Sequence, residues 1–424
     1  MQIVLPIEDL RPGMFVDNVH KHKSDAGIKI KSRGMVRDEA IIQKLIDKGV
    51  LELTIDFTQS DIPVPQKYQQ PAEPVTEAPQ TPEEPAAKNG MDGSLSTARS
   101  KPKSKAKTVS KEQTLQQEFA VAMQKFEKNN RQIQSLYGDV TSGLKVDMSL
   151  INEVSKDIVD SVLRNSNAMA ILTRIKDKDA YNWRHMTNCA ILITVFAKHL
   201  GLQHHIIEQL AMGAMLHDIG HAKLPQGLIN KPGNFTDLEY RAVKKHVAQS
   251  LGLSKGESGI TPIMLDMIIN HHERLDGTGY PRGIKDDALS TAARMMAIVD
   301  VYDAITSDQH HKEADEPINA LRFLLSSKKQ FDPILVQRFI KCMGVHPVGT
   351  IVKLTNERLG LVLEGNKHAP TAPLVRVFYN TKHLHHVTAK DLDLSESEIK
   401  VIASVRPLDY QINLSRLLRD QLLI

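Results

Sequence analysis

The spacing of apolar residues changes several times along this chain, and each change predicts a different kind of element. Between Ile3 and Val16 the apolar runs are short and broken by Pro6, Pro12 and Gly13. Ile41, Ile42 and Leu45 then take helical spacing, and Leu51 to Ile55 reads as a strand, so residues 1–60 predict a small N-terminal mixed α/β module. It shows no catalytic pair, which favours a binding or packing role. Residues 61–113 carry Pro63, Pro65, Pro71, Pro74, Pro79, Pro82, Pro85 and Pro102 among Gln, Glu, Ala, Ser and Lys. Such a stretch cannot bury enough apolar surface to offset its ordering entropy, and a disordered linker is expected. Over 114–175, Phe119, Met123, Phe126 and then Ile151, Val154, Ile158 and Val162 recur at three- and four-residue steps. Two long helices follow, either entering the main bundle or pairing with a second copy. Residues 176–345 stay helical with no alternation of period two, predicting a central all-α domain. Beyond Pro347, the runs Thr350–Leu354, Leu359–Leu363 and Leu374–Phe378 are strand-like, with Gly349 and Gly360 at expected turns. Residues 346–424 therefore predict a small β-rich C-terminal appendage with a terminal helix over Leu414–Leu423. The fold class is mainly α.

Composition narrows the setting more than the chemistry. With 424 residues, 41% of them hydrophobic and 25% charged, the chain can hold two or three domains with a sizeable core. A net charge of +4, part of it in the Lys run at 101–107, does not point to a nucleic-acid polymer. The two cysteines, Cys189 and Cys342, read as buried thiols in a reducing compartment. The first residues lack the basic region of a signal peptide, and the longest apolar run, Cys189–Ala197, is about half of the roughly 20 residues a membrane span needs. A cytoplasmic protein without membrane insertion is expected.

The chemistry gathers between Leu216 and Asp303. His217-Asp218 ends an apolar run, His246 stands alone, His271-His272-Glu273 precedes Asp276-Gly277-Thr278-Gly279-Tyr280-Pro281, and Asp300 follows. A lone histidine is more often a hydrogen-bonded core or surface residue than a ligand. Adjacent residues on a helix diverge by about 100° and can serve two metals, the carboxylate between them bridging. His217-Asp218 and His271-His272 both have that form. Imidazole and carboxylate without thiolate suit iron or manganese better than structural zinc. Gly277 and Gly279 permit positive φ and close backbone approach, although a tight turn is the plainer reading of that loop.

Taken in order, these motifs resemble the HD-GYP family, a branch of the HD-domain metal-dependent phosphohydrolases. The resemblance covers roughly Ala180 to Phe339 and includes His217-Asp218-Ile219-Gly220, Pro225 through Lys231-Pro232-Gly233, His271-His272-Glu273 with Asp276 to Pro281, and Asp300-Val301-Tyr302-Asp303-Ala304. The N-terminal module is also similar to one that often precedes such domains. The resemblance implies metal ligands at His185, His217, Asp218, His246, His271, His272 and Asp300, with Asp218 bridging two divalent ions. Tyr181 stands where three-metal members carry glutamate. Two such ions lower the pKa of a shared water and clamp the attacked phosphorus and the departing oxygen. The resemblance further implies phosphodiester hydrolysis of cyclic di-GMP to pGpG and on to GMP, with Asp218 and His221 catalytic and with Gly279, Tyr280, Pro281 and Lys312 binding substrate. A homodimer and diguanylate cyclase-type partners go with it.

Two positions depart from the family. His221 replaces the usual lysine, keeping the capacity to donate a hydrogen bond or act as a general acid but losing a fixed cation. Gln309 replaces an arginine, and His310-His311 after it read as exposed loop. The departures leave two other readings open: a phosphodiesterase for another cyclic dinucleotide or phosphoester, and a degenerate member acting as a nucleotide-binding or protein-interaction regulator.

Overall fold

A computed structural model of the chain describes residues 2–22, 34–47, 50–57, 60–62, 65, 112–175, 181–310 and 312–423. Apart from a few residues at either end, the linker expected over 61–113 lies outside these. The described residues fall into two compact units, 1–102 and 103–424.

In the first unit, β1 (Gln2–Pro6), β2 (Phe15–His22), β3 (Gly34–Met35) and β4 (Val50–Asp56) form an antiparallel sheet in the order β1-β4-β2-β3. Helix α1 (Glu39–Asp47) turns Leu45 into the core made by Leu5, Leu10, Met14, Val16, Leu53 and Ile55. Those are the apolar positions that predicted a mixed module.

The second unit opens with α2 (Leu115–Thr141), α3 (Met148–Arg164) and α4 (Ser166–Leu172). Thr114 and Gln117 close a reciprocal capping box at the start of α2, and Asp147 caps α3. The stripes Phe119, Met123, Phe126 and Ile151, Val154, Ile158, Val162 are buried in the molecule's own core. Of the two expected uses for these helices, entry into the bundle is therefore the one seen. A buried Glu118 between them accepts from Ser161 Oγ at 2.6 Å and from Arg164 at 2.6 and 2.9 Å.

Helices α5 (Tyr181–His199) and α6 (His204–Leu216) form the centre of the bundle, which is why they are apolar on nearly every face. The short α7 (Gln226–Ile229) and α8 (Asp237–Val243) follow, then α9 (Lys245–Ser254), α10 (Pro262–Asn270), α11 (Thr291–Ile305), α12 (Pro317–Ser326) and α13 (Pro333–Met343). No helix among the described residues is long and apolar enough to cross a membrane.

The chain ends in an antiparallel sheet of β5 (Ile351–Leu354), β6 (Arg358–Glu364), β7 (Leu374–Asn380), β8 (His385–Asp393) and β9 (Val401–Val405), in the order β8-β7-β6-β5-β9, followed by α14 (Leu414–Leu422). One face of the sheet, with Ile351, Leu359, Leu361 and Phe378, shares the core of the helical bundle. The other, with Val352, Val362, Val375 and Leu394, closes a small core of its own. What the sequence suggested as an appendage is thus an extension of the main core. Gly360, expected at a turn, lies within β6, where its missing Cβ accommodates Val375: a Cβ there would stand 3.1 Å from that residue's own Cβ.

Candidate metal centre

Four of the expected ligands arrive at helix ends. His217 terminates α6 and Asp218 begins the following 3-10 turn, Ile219–Lys223; His271 terminates α10, and His246 lies in the first turn of α9. Three histidines are held by the same local device. The Nδ1–H groups of His217, His246 and His271 donate to the carbonyls three residues earlier, Ala214, Val243 and Ile268, at 2.7, 2.8 and 2.9 Å. Each bond fixes the tautomer, leaving Nε2 with a lone pair aimed into the bundle.

These lone pairs converge on Asp218. Its Oδ1 lies 3.2 Å from His246 Nε2 and 3.5 Å from His271 Nε2, while its Oδ2 lies 3.5 Å from His217 Nε2 and 3.6 Å from His185 Nε2. His246 Nε2 and His271 Nε2 are 3.4 Å apart. With Nδ1 carrying the proton, these are acceptors facing acceptors. Asp218 Oδ1 and His217 Nε2 are buried without a hydrogen-bond partner. A cation, whether a metal ion or a proton, would relieve these facing lone pairs. Asp218, His246, His271 and His272 present ligand atoms all within 4.8 Å of one another, and this donor set can hold a divalent ion.

Asp300 extends the cluster. Its Oδ1 is 3.1 Å from His185 Nε2 and its Oδ2 is 3.5 Å from His272 Nδ1. His185 alone is backed by a carboxylate: its Nδ1 is 2.8 Å from Asp303 Oδ2, and Asp303 in turn accepts from Asn188 Nδ2 at 3.1 Å and Ser307 Oγ at 3.2 Å. Asp300 and Asp303 sit three residues apart on one face of α11, a spacing by which the role of Asp303 could have been read from sequence. Cys189 Sγ packs 3.7 Å from both His185 ring nitrogens. Burial pushes this thiol up to about 12, so it stays protonated as a packing group.

The electrostatics favour neutral imidazoles around ionised carboxylates. Burial pushes His217 down to about 4. Burial and then the neighbouring His246 push His221 down to about 3. Burial works against ionisation of Asp218, but His217, His221 and His246 outweigh it and hold the carboxyl well below its usual range. His246 goes the other way, because the charge of Asp218 outweighs its burial.

The cluster floors a cavity of about 340 Å³. Tyr280 lines it, with its ring centroid 4.6 Å from that of His272. Gly279 serves close approach alone: a Cβ there would lie 2.4 Å from Arg274 N and 2.5 Å from the His272 carbonyl. Positive φ belongs to Gly277, at 78°. Pro281 follows a cis peptide and is exposed. Glu273 is a clamp for this loop rather than a ligand, accepting from the backbone N–H groups of Arg282 at 2.7 Å and Ile284 at 3.2 Å. His221 stacks on His246 with centroids 4.1 Å apart and planes 11° apart. His221 lines the cavity, and its Nε2 lies 3.7 Å from Asp218 Oδ1, the longest of the five imidazole distances to that carboxylate.

Lys312 is not brought to this cavity. It lines a neighbouring one of about 450 Å³ that shares Arg274 and Gln309 with the first. Gln309 is buried, its Nε2 donating to the Ala304 carbonyl at 3.0 Å. His310 also lines the metal cavity, while His311 lies outside the described residues. Sequence reading missed Arg274, whose burial against the carbonyls of His271 and Glu273 puts a guanidinium at the cavity wall. It missed Lys244 as well, whose Nζ lies 4.5 Å from the ring centroid of Tyr240 and 4.7 Å from that of Tyr280.

The cluster lies within a span that matches a known domain family. Residues 162–335 match the family model of the HD domain, and residues 2–151 match a domain of unknown function, DUF3391. A cyclic di-GMP phosphodiesterase of Pseudomonas aeruginosa, PA4108, is 29% identical over 93% of this chain and 89% of its own length. Two Vibrio cholerae proteins match over less. A cyclic di-GMP phosphodiesterase is 36% identical over 32% of this chain and 29% of its own, and a 3'3'-cGAMP-specific phosphodiesterase 1 is 32% identical over 38% of each. Residues 162–335, which carry the motif series on α5 to α11, are therefore an HD domain, preceded by a DUF3391 domain.

Proposed function

We propose that this protein hydrolyses a phosphodiester bond of a cyclic dinucleotide, cyclic di-GMP foremost, to linear pGpG and then GMP. The observation that carries the reading is the set of inward-facing imidazole lone pairs around Asp218, which calls for cations between its two oxygens and the surrounding rings. On this reading His185, His217, Asp218 and Asp300 would hold one divalent ion and Asp218, His246, His271 and His272 a second; iron or manganese suits the donors. Such ions supply Lewis acidity and a nucleophile at neutral pH. The chain's own groups do the rest. Arg274 offers its charge to a phosphate, Tyr280 and Tyr240 offer ring faces to a base, and His221 is placed to donate a hydrogen bond to the leaving oxygen. A cytoplasmic setting fits the two free cysteines. A second copy and diguanylate cyclase-type proteins are the partners this reading suggests.

The test is to reconstitute the protein anaerobically with Fe(II) or Mn(II), incubate it with cyclic di-GMP, and separate products while counting metal on the same sample. Appearance of pGpG over many turnovers is expected. A folded, metal-loaded protein that releases no product would overturn the assignment and favour the regulator. Gln309, uncharged at the cavity wall, supports one alternative substrate, a hybrid cyclic dinucleotide such as the relative's 3'3'-cGAMP; competition between the two substrates decides.

The carboxylate behind His185 gives a separate expectation. Asp303→Asn keeps the shape but removes the charge that orients the ring and strengthens it as a donor. Metal affinity should fall by about 10- to 100-fold, read as metal lost to a competing chelator. Unchanged retention would exclude Asp303 from this supporting role.

A further inference from the structure

The cavity beside the metal cluster, about 450 Å³, adjoins the one of about 340 Å³ that the cluster floors, and Arg274, Val301, Ala304 and Gln309 line both. Val301 and Ala304 lie three residues apart on one face of α11, which therefore forms a saddle between the two spaces. A volume of 340 Å³ is near the lower end of the roughly 300–1,000 Å³ that small-molecule sites offer. A cyclic dinucleotide carries two bases, two riboses and two phosphates. Given such a substrate, on which this inference rests, a ligand with one phosphodiester at the cluster extends past that space. The saddle leads its far half into the neighbouring cavity.

Beyond the saddle the walls suit a base. Phe331 is buried and covered by the Arg274 guanidinium, 4.9 Å from its ring centroid. Phe323, on α12, lines the same cavity but is 45% exposed, so its ring keeps a face that another flat group can cover. Asp315 is the carboxylate of this wall. Its N–H donates to the Ile305 carbonyl at 2.9 Å, tying it to the end of α11, and its Oδ1 accepts from Asn319 Nδ2 and from the Glu316 N–H, both at 2.7 Å. No donor among the described residues reaches its Oδ2. A fixed carboxylate with one open oxygen calls for a base edge made of N–H groups. The Watson–Crick edge of guanine carries two, at N1 and N2, whereas adenine sets a lone pair at N1 beside its amino group. We propose that this cavity is the subsite for the second base of the cyclic dinucleotide, a guanine stacked on Phe323 and read by Asp315 Oδ2.

The experiment is equilibrium dialysis of labelled cyclic di-GMP against the full chain bearing His217→Ala/Asp218→Ala, so that binding is read without turnover. Adding Asp315→Asn should weaken binding about tenfold or more, the scale of a lost hydrogen bond to a charged group. Adding Phe323→Ala should weaken it about fivefold or more, the scale of one base–aromatic stack. Both side chains are exposed, and asparagine at 315 keeps an oxygen for Asn319 and the Glu316 N–H, so folding should hold, as a melt would record. Cyclic di-AMP should bind the Asp315→Asn protein and its parent alike. Equal binding of cyclic di-GMP by parent and Asp315→Asn would overturn the subsite, as would an equal loss of cyclic di-GMP and cyclic di-AMP, or no saturable binding at millimolar ligand. The expected pattern in a chain whose unaltered form never releases pGpG would defeat the phosphodiesterase reading and leave the subsite standing. Turnover in the unaltered chain with no effect of Asp315→Asn would do the reverse.

Discussion

The His217→Ala/Asp218→Ala protein is expected to lose turnover of cyclic di-GMP by at least about 1000-fold, since removing Lewis-acid stabilisation costs several kcal/mol of barrier. Asp218 is the carboxylate that five imidazoles approach, and His217 supplies one of two rings facing its Oδ2. Metal content should fall in parallel with turnover. Folding should survive: the double change removes a buried carboxylate together with one of the acceptors facing it, so the main cost is the cavity left by the ring, about 2–5 kcal/mol. Turnover, metal per chain and a thermal melt on the same preparation check the three statements. Full residual activity would remove Asp218 from the mechanism and with it the two-ion reading.

Gly220→Ala is expected to be nearly as damaging without touching a ligand. A Cβ at this position would stand 2.1 Å from the His246 carbonyl oxygen and 2.5 Å from Ser250 N, both backbone atoms that cannot swing aside. The Gly220 N–H also donates to Ser250 Oγ at 2.8 Å. The turn bearing Asp218 and His221 therefore has to separate from the helix bearing His246. Overpacking of this kind costs about 1–3 kcal/mol of stability, and a displacement near 1 Å between catalytic groups costs about 100-fold in rate. Gly227→Ala is the control, because nothing lies within 4 Å of its Cβ position. It should leave the melt and kcat/KM unchanged. If Gly220→Ala matched it, close approach would not be what fixes the cluster.

Much of this was legible before any coordinates. Apolar spacing at Phe119, Met123 and Phe126, and at Ile151 to Val162, located two helices because their buried faces repeat at the helical period. The strands β5 to β7 were legible from their apolar runs. β8 was not, because this edge strand, His385 to Asp393, is mostly exposed and turns only Val387 and Leu392 partly toward the core, too few to leave a pattern. The candidate ligands could be named from their motifs, and the structure brings His185, His217, Asp218, His246, His271, His272 and Asp300 together. Their tautomers could not be named, since these depend on where the carbonyls of Ala214, Val243 and Ile268 point. Nor could sequence place Lys312, whose position depends on the path of the chain after α11 rather than on its own neighbours. Arg274 and Lys244 escaped because a single basic residue beside a motif looks like any solvated charge until its burial is known.

The span matched by DUF3391 ends at residue 151, inside α3, and takes in all of α2. Yet both helices donate their apolar faces to the core that carries the HD motifs. The seam between the two sequence families is therefore not a seam in the folded object. An HD segment recombined in evolution without α2 and α3 would arrive with one wall of its core stripped bare, so the pair would have to be inherited as one piece. The physical joint lies earlier in the chain, ahead of Thr114. There the first compact unit could be exchanged while the shared core of the second stayed whole.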